Sequence, residues 1–182
     1  EELDEVNSNI EGLIAALMGD QTVGLLRRLG EIAEEDGTSA HVVGGVVRDA
    51  LLGIVNQDLY IVVEEDGDAF ASRAAEMLGG SVKAHTRFGT AILVLPGGRK
   101  IDVARARSET YERPGALPTV NTGNLEQDLL RRDFTINAMA VRIDPPGFGE
   151  LIDLYGGQAD LADGILLVLT DRSFVDDPTR VL

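Results

Sequence analysis

Val43-Gly44-Gly45-Val46-Val47-Arg48-Asp49 sets three local demands in one short stretch. The apolar residues His41-Val42-Val43 predict a strand, the paired glycines a sharp turn, and Val46 to Leu52 a short helix closed by Gly53. A strand, a glycine turn and a helix start let backbone N–H groups approach a phosphate. Arg48, one turn in, can pair with a phosphate oxygen. The same residues also suit a tight strand-to-helix turn with no ligand. No Gly-Lys-Ser/Thr follows, so this is not a Walker loop. Downstream, Asp58 heads a second apolar strand, Leu59 to Val63.

Outward from this centre, residues 1–19 begin acidic and then predict a short helix through Ile10, Leu13, Ile14 and Leu17. Thr22 to Asp36 predicts a second helix, with Val23, Leu26, Leu29 and Ile32 on one stripe. Asp68 to Leu78 is a helix stopped by Gly79-Gly80. Ser81–His85, Thr90–Leu95 and Lys100–Ala104 are strands, the last two joined through Pro96-Gly97-Gly98. Residues 106–123 lose periodicity and read as a long loop with Pro114, Gly115, Pro118 and Gly123. Asn124–Arg131 predicts a helix. Ile136–Ile143 is apolar without clear period, so strand and helix both fit. Glu150–Leu154 and Ile165–Leu169 read as extended, with a helical turn between them. The fold class is α+β, with a mixed sheet of about five strands flanked by helices.

Composition narrows the setting. The 182 residues carry 31 acidic and 16 basic side chains, a formal charge of -15. With 44% hydrophobic residues the chain can build a core. Cysteine is absent, which excludes disulfides and thiolate metal sites. No apolar run reaches the about 20 residues that span a bilayer, and the acidic start lacks a signal peptide's basic region. A cytoplasmic protein without a membrane partner is expected. A charge of -15 argues against a phosphate-binding surface, but the charge is uneven. Residues 99–132 hold five acids and seven bases, a basic island in an acidic chain.

Three further places could carry chemistry. Asp58 suits a divalent cation held with phosphate oxygens, or caps the strand edge. Asp102, between Ile101 and Val103, points to the opposite face from them; it could join Asp58 or be an exposed strand acid. Arg131-Arg132-Asp133 follows the helix that holds Asp128; the arginines complement the helix dipole or bind phosphate or ribose.

In order along the chain stand Gly44-Gly45-Val46-Val47-Arg48-Asp49-Ala50-Leu51-Leu52-Gly53, Asp58-Leu59, Ile101-Asp102-Val103-Ala104-Arg105-Ala106-Arg107 and Pro114-Gly115-Ala116-Leu117-Pro118. Arg131-Arg132-Asp133-Phe134-Thr135-Ile136-Asn137-Ala138-Met139-Ala140 and Asp176-Asp177-Pro178-Thr179-Arg180 complete the set. Each piece is weak; the ordered set, over residues 38–182, resembles the head domain of class II tRNA nucleotidyltransferases (CCA-adding enzymes) and bacterial poly(A) polymerases. The resemblance implies the nucleotidyltransferase head fold, like that of DNA polymerase beta. It implies a template-independent transferase adding AMP, or CMP and AMP, to an RNA or tRNA 3′ end by two-metal transfer. ATP, or CTP as well, would be the substrate and Mg2+ the cofactor. Gly44, Gly45 and Arg48 then look like the triphosphate turn. Arg132, Asp133 and Arg180 look like nucleotide contacts, and Asp58 and Asp102 like catalytic metal ligands.

Two departures follow. The family pattern at the second strand is Asp-x-Asp, and here it is Asp58-Leu59-Tyr60. Residues two apart on a strand share a face, so Tyr60 occupies the second metal-ligand position. A phenol with a pKa of about 10 is a poor Mg2+ ligand at neutral pH. Little or no activity is expected, and a non-catalytic nucleotide- or RNA-binding module on the same fold is the alternative. The family also continues past Asp-Pro-x-Arg into a base-selecting neck, with body and tail domains that hold the RNA. Here residues 173–182 look like the start of a truncated neck, residues 38–172 like the head, and residues 1–37 like an acidic helical linker or cap.

Overall fold

The computed structural model describes residues 9–85 and 90–181. The acidic start of the chain, residues 1–8, lies outside the described residues. Two helices lead, α1 (Glu11–Met18) and α2 (Asp20–Glu35). They are followed by β1 (Ala40–Val43), α3 (Gly45–Leu51), β2 (Leu59–Val63) and α4 (Gly67–Leu78). A run of strands comes next: β3 (Ser81–His85), β4 (Thr90–Val94), β5 (Lys100–Arg105), β6 (Arg107–Thr110) and β7 (Thr119–Thr122). The last third holds α5 (Leu125–Leu130), β8 (Met139–Arg142), β9 (Leu151–Asp153), α6 (Gly157–Asp163) and α7 (Ser173–Asp176).

Seven strands form one mixed sheet in the order β3-β4-β5-β2-β1-β8-β9. Only β2 and β5 run parallel among these pairs, with Leu59 opposite Ile101, Tyr60 opposite Asp102 and Ile61 opposite Val103. The crossover between them carries α4, whose N-terminus is capped by the Asp66 carboxylate accepting from the Asp68 and Ala69 amides.

Strand alternation sorts the residues into two layers. Leu59, Ile61 and Val63, with Ile101, Val103, Val42 and Val141, face a large core shared with Leu26, Leu29 and Ile32 of α2 and Phe70 and Ala74 of α4. Helices α1 and α2 belong to this layer; Gly30 of α2 crosses the Ile143 carbonyl so closely that a Cβ would lie 1.8 Å from it. On the other face, Val43, Val62 and Ala140 pack with Leu125 and Leu129 of α5. Glu64, just past β2, accepts the Leu125 amide at 2.8 Å and fixes where α5 begins. An Asn124–Gln127 capping box closes the same end. Helix α5 therefore delivers Arg131 and Arg132 over the ends of β1 and β2.

Three expectations change. The sheet has seven strands rather than about five, because Ile136–Ile143 resolves into a 3-10 turn (Thr135–Asn137) and β8, and β9 from the extended Glu150–Leu154 pairs with β8 at the sheet edge. Residues 139–141 are buried on both faces, which removes the alternation that marks a half-exposed strand. Residues 106–123 are not a loop throughout: β6 and β7 pair as an antiparallel ribbon, Arg107 opposite Thr122 and Thr110 opposite Thr119. The ribbon's residues are largely polar and carry no apolar period. Ile165–Leu169, read as extended, makes one isolated bridge, Val168 to Phe134, and leaves Leu166 67% exposed. No described helix is long and apolar enough to cross a membrane.

Candidate active site

Gly44 turns the chain from β1 into α3 with φ +83°, a conformation that disfavours a side chain. Its carbonyl accepts the Val47 and Arg48 amides at 3.0 and 3.3 Å. A Cβ at Gly44 would lie 2.9 Å from Arg132 Nη1. Glycine is therefore required twice here, by the backbone and by the arginine laid against it.

Arg132 is held by a buried acid. Asp128 has no solvent exposure and takes Arg132 Nη2 on Oδ2 at 2.8 Å. Its Oδ1 accepts Arg131 Nε and Nη2 at 3.0 and 2.8 Å. Glu109 on the ribbon pairs with Arg131 Nη1 at 3.3 Å and with Arg107 Nη2 at 3.0 Å. Burial works against charge on Arg131, but Asp128 and Glu109 outweigh it and hold the guanidinium above the ordinary arginine range. The Tyr111 hydroxyl donates to Glu109; burial and that carboxylate push its pKa up to about 12. Arg132 Nε is buried with no hydrogen-bond partner among the described residues, so the clamp keeps a donor unspent.

A cleft of about 400 Å3 runs from Gly44-Gly45 past Asp58, Tyr60 and Asp102 to Arg131 and Arg132. Asp58 and Asp102 are exposed at its mouth. Tyr60, the register partner of Asp102, packs its ring against the smaller core, with the Arg132 guanidinium carbon 6.0 Å from the ring centroid. A second cleft of about 590 Å3 shares Arg107, Arg131 and Arg132 with the first and adds Asp133 and Arg180. Arg180 Nη2 donates to the Arg131 carbonyl at 2.6 Å and Nη1 to Ser173 Oγ at 2.7 Å.

The structure thus gathers Gly44, Gly45, Asp58, Asp102 and Arg132 around one cleft, and Arg132, Asp133 and Arg180 around the next. Arg48 lines neither; its guanidinium donates to Asp49 and Asn137. Asp128 and Glu109 escape sequence reasoning as site residues. Asp128 leaves one signal, its spacing of three and four from two arginines at the end of its helix. Glu109 leaves none, because its ribbon shows no period.

The donor set tests the metal expectation. Among the described residues no group of three or more His, Asp or Glu side chains converges as a metal site. Asp58 and Asp102 with phosphate oxygens would suit one Mg2+, and Tyr60, the register partner of Asp102, brings a phenol rather than a carboxylate to the same cleft.

A mixed sheet with a glycine turn on one strand and acids at the ends of two parallel neighbours is the architecture of a nucleotidyltransferase. A solved CCA-adding enzyme in an apo form matches at TM-score 0.91 and 44% identity over 96% of this chain and 41% of its own. A CCA-adding enzyme solved with ATP matches at TM-score 0.83 and 42% identity, covering 96% of this chain and 39% of its own. An A-adding tRNA nucleotidyltransferase of Geobacter sulfurreducens is 51% identical over 160 residues, 88% of this chain and 18% of its own length. Residues 40–167 match the poly A polymerase head domain, and the chain belongs to that family. It spans about two fifths or less of these relatives.

Proposed function

We propose that this chain is the nucleotide-binding head of an enzyme that adds AMP, or CMP and AMP, to the 3′ end of tRNA, with its reactive end weakened by Tyr60. The relatives' names and the ATP-bound neighbour support the substrate class. Gly44 and Gly45 offer backbone donors to a triphosphate. Arg132, fixed by Asp128, would add charge beside them, and Asp133 and Arg180, which line the adjoining cleft, would contact the rest of the nucleotide. Phosphoryl-type transfer is mostly positioning and charge neutralisation, and these residues supply both. Asp58 and Asp102 would hold one Mg2+, which when bound neutralises triphosphate charge. tRNA would be gripped mainly by parts of the protein beyond this chain, as expected for an acidic head.

The observation that carries the weakened reading is the Tyr60–Asp102 pair, a phenol beside a carboxylate where the family pattern has two. Tyr60→Asp, assayed as addition of labelled AMP to tRNA lacking its terminal adenosine, should raise the rate by about a hundredfold or more. An unchanged rate would show that Tyr60 is no lesion. The same tyrosine favours the second reading, a module that binds nucleotide and transfers nothing. A Tyr60→Asp protein that binds ATP yet adds no nucleotide would support it.

A further inference from the structure

Asp133 lines the larger cleft from a tight turn that folds back on its own carboxylate. Asp133 Oδ1 accepts the Phe134 amide at 2.7 Å and Asn137 Nδ2 at 3.0 Å. Toward α3 the turn is tied through Asn137 Oδ1, which accepts Arg48 Nη1 at 2.7 Å. From behind it is held by α6 and the segment that follows. Thr135, only 3% exposed, donates its hydroxyl to Asp160 Oδ2 at 2.5 Å. The Thr135 amide donates to the Leu167 carbonyl at 2.9 Å, and Phe134 bridges to Val168 beside it. Gly157 approaches so closely that a Cβ there would stand 2.3 Å from the Thr135 carbonyl oxygen. Hydroxyl, amide and carbonyl of Thr135 therefore all meet α6 or the segment after it.

Helix α6 is in turn fixed to the sheet. Asp153, the last residue of β9, accepts the Gly157 and Gln158 amides at 2.8 Å each. The Ile165 amide donates to the Asp160 carbonyl at 2.8 Å, so the residue that takes the Thr135 hydroxyl also directs the chain back toward Phe134. A hydroxyl bonded to a carboxylate is charge-assisted, and its partner here sits half-buried on a short, anchored helix. We propose that Thr135 and Asp160 are positioning residues: the Thr135 hydroxyl, held by the Asp160 carboxylate, sets where Asp133 stands in the cleft. They tune nucleotide affinity through Asp133 without touching the nucleotide. The effect on affinity rests on the function proposed above; the bracing of the turn does not.

The test compares variants that remove the bond with variants that keep it. Thr135→Val and Asp160→Ala remove the donor and the acceptor; Thr135→Ser and Asp160→Asn retain them. Solvent exchange of the Phe134 amide, read by NMR without nucleotide, reports on the Asp133 carboxylate it donates to. It should speed by about tenfold in the first pair and stay within about twofold of the native chain in the second. The Val103 amide, central in the sheet, is the reference and should not change. If Thr135→Val disturbs it, Asp160→Ala, at a half-buried position, decides. ATP affinity, measured without metal, then forms a double-mutant cycle with Asp133→Ala. Thr135→Val should weaken ATP several-fold in the native chain but less than about twofold beside Asp133→Ala, because its effect passes through Asp133. A Thr135 that only supports the fold would give the same change in both backgrounds, and that result would overturn the proposal. So would unchanged Phe134 exchange in the first pair, or serine behaving like valine. A native chain that binds no ATP would count against the proposed function only, since the exchange is read without it.

Discussion

At one end of the cleft Arg131 and Arg132 close on Asp128, which no solvent reaches; at the other, Asp58 and Asp102 stand exposed with Tyr60 between them. The contrast is one of energetics. An acid buried between two guanidiniums is costly to break, so folding and the arginine geometry are the same event. Exposed carboxylates contribute little to stability. Position 60 can therefore change from acid to phenol without harm to the fold, and the ring even gains contact with the apolar cluster of α5. On the proposed function, the nucleotide-binding half and the metal-binding half of the site are separable because only the first is built into the core.

Asp128→Asn should have the largest structural effect. It leaves two part-buried guanidiniums without their common anion and should lower the unfolding free energy by about 3 kcal/mol or more, measured by urea denaturation. ATP affinity should fall with it. The companion variant Asp102→Asn should change stability by less than about 0.5 kcal/mol. Equal losses in the two would erase the contrast between the ends.

Gly44→Ala sharpens the comparison at the junction. Gly44 sits at φ +83° and ψ -141°, an essentially glycine-only region where a side chain costs about 1–3 kcal/mol, and the new Cβ displaces Arg132. Calorimetry should show ATP affinity falling several-fold, more than the modest drop in melting temperature would suggest.

The smallest effect lies away from both ends. His41 on β1 is buried, and burial pulls its pKa below the ordinary 6.5 despite the raising influence of Asp144 and Glu64. The folded state thus binds this proton more weakly than the unfolded chain. The stability it contributes is present above pH 6.5 and is lost as pH falls below that value toward the folded pKa. His41→Gln should flatten urea midpoints between pH 7.5 and 5.5, while ATP affinity at neutral pH stays as it was.

Much of this was legible in the sequence where one physical rule dominates. Gly44-Gly45, the α2 stripe and the alternation of β5 each follow from a turn, a period of 3.6 or a period of 2, and all three lie where they were read. That Tyr60 shares the face of Asp58 is legible because alternation fixes it; its register with Asp102 comes from the parallel pairing. What stayed hidden is set by distant partners. The strand β8 is buried on both faces, and the ribbon β6–β7 is polar on both. The role of Asp128 depends on an arginine pair that only α5, anchored by Glu64, brings over the sheet. The bonds from Arg48 to Asn137 and Asp49 are likewise hidden, because no sequence period links position 48 to position 137.

The most direct test of separable halves is titration of ATP, with and without Mg2+, into the native chain and Tyr60→Asp. Both should bind ATP without metal through the glycine turn and the arginine clamp. Mg2+ should tighten binding less than about threefold in the native chain and about tenfold or more in Tyr60→Asp. Equal tightening in the two proteins, or no metal-free binding in either, would contradict separable halves.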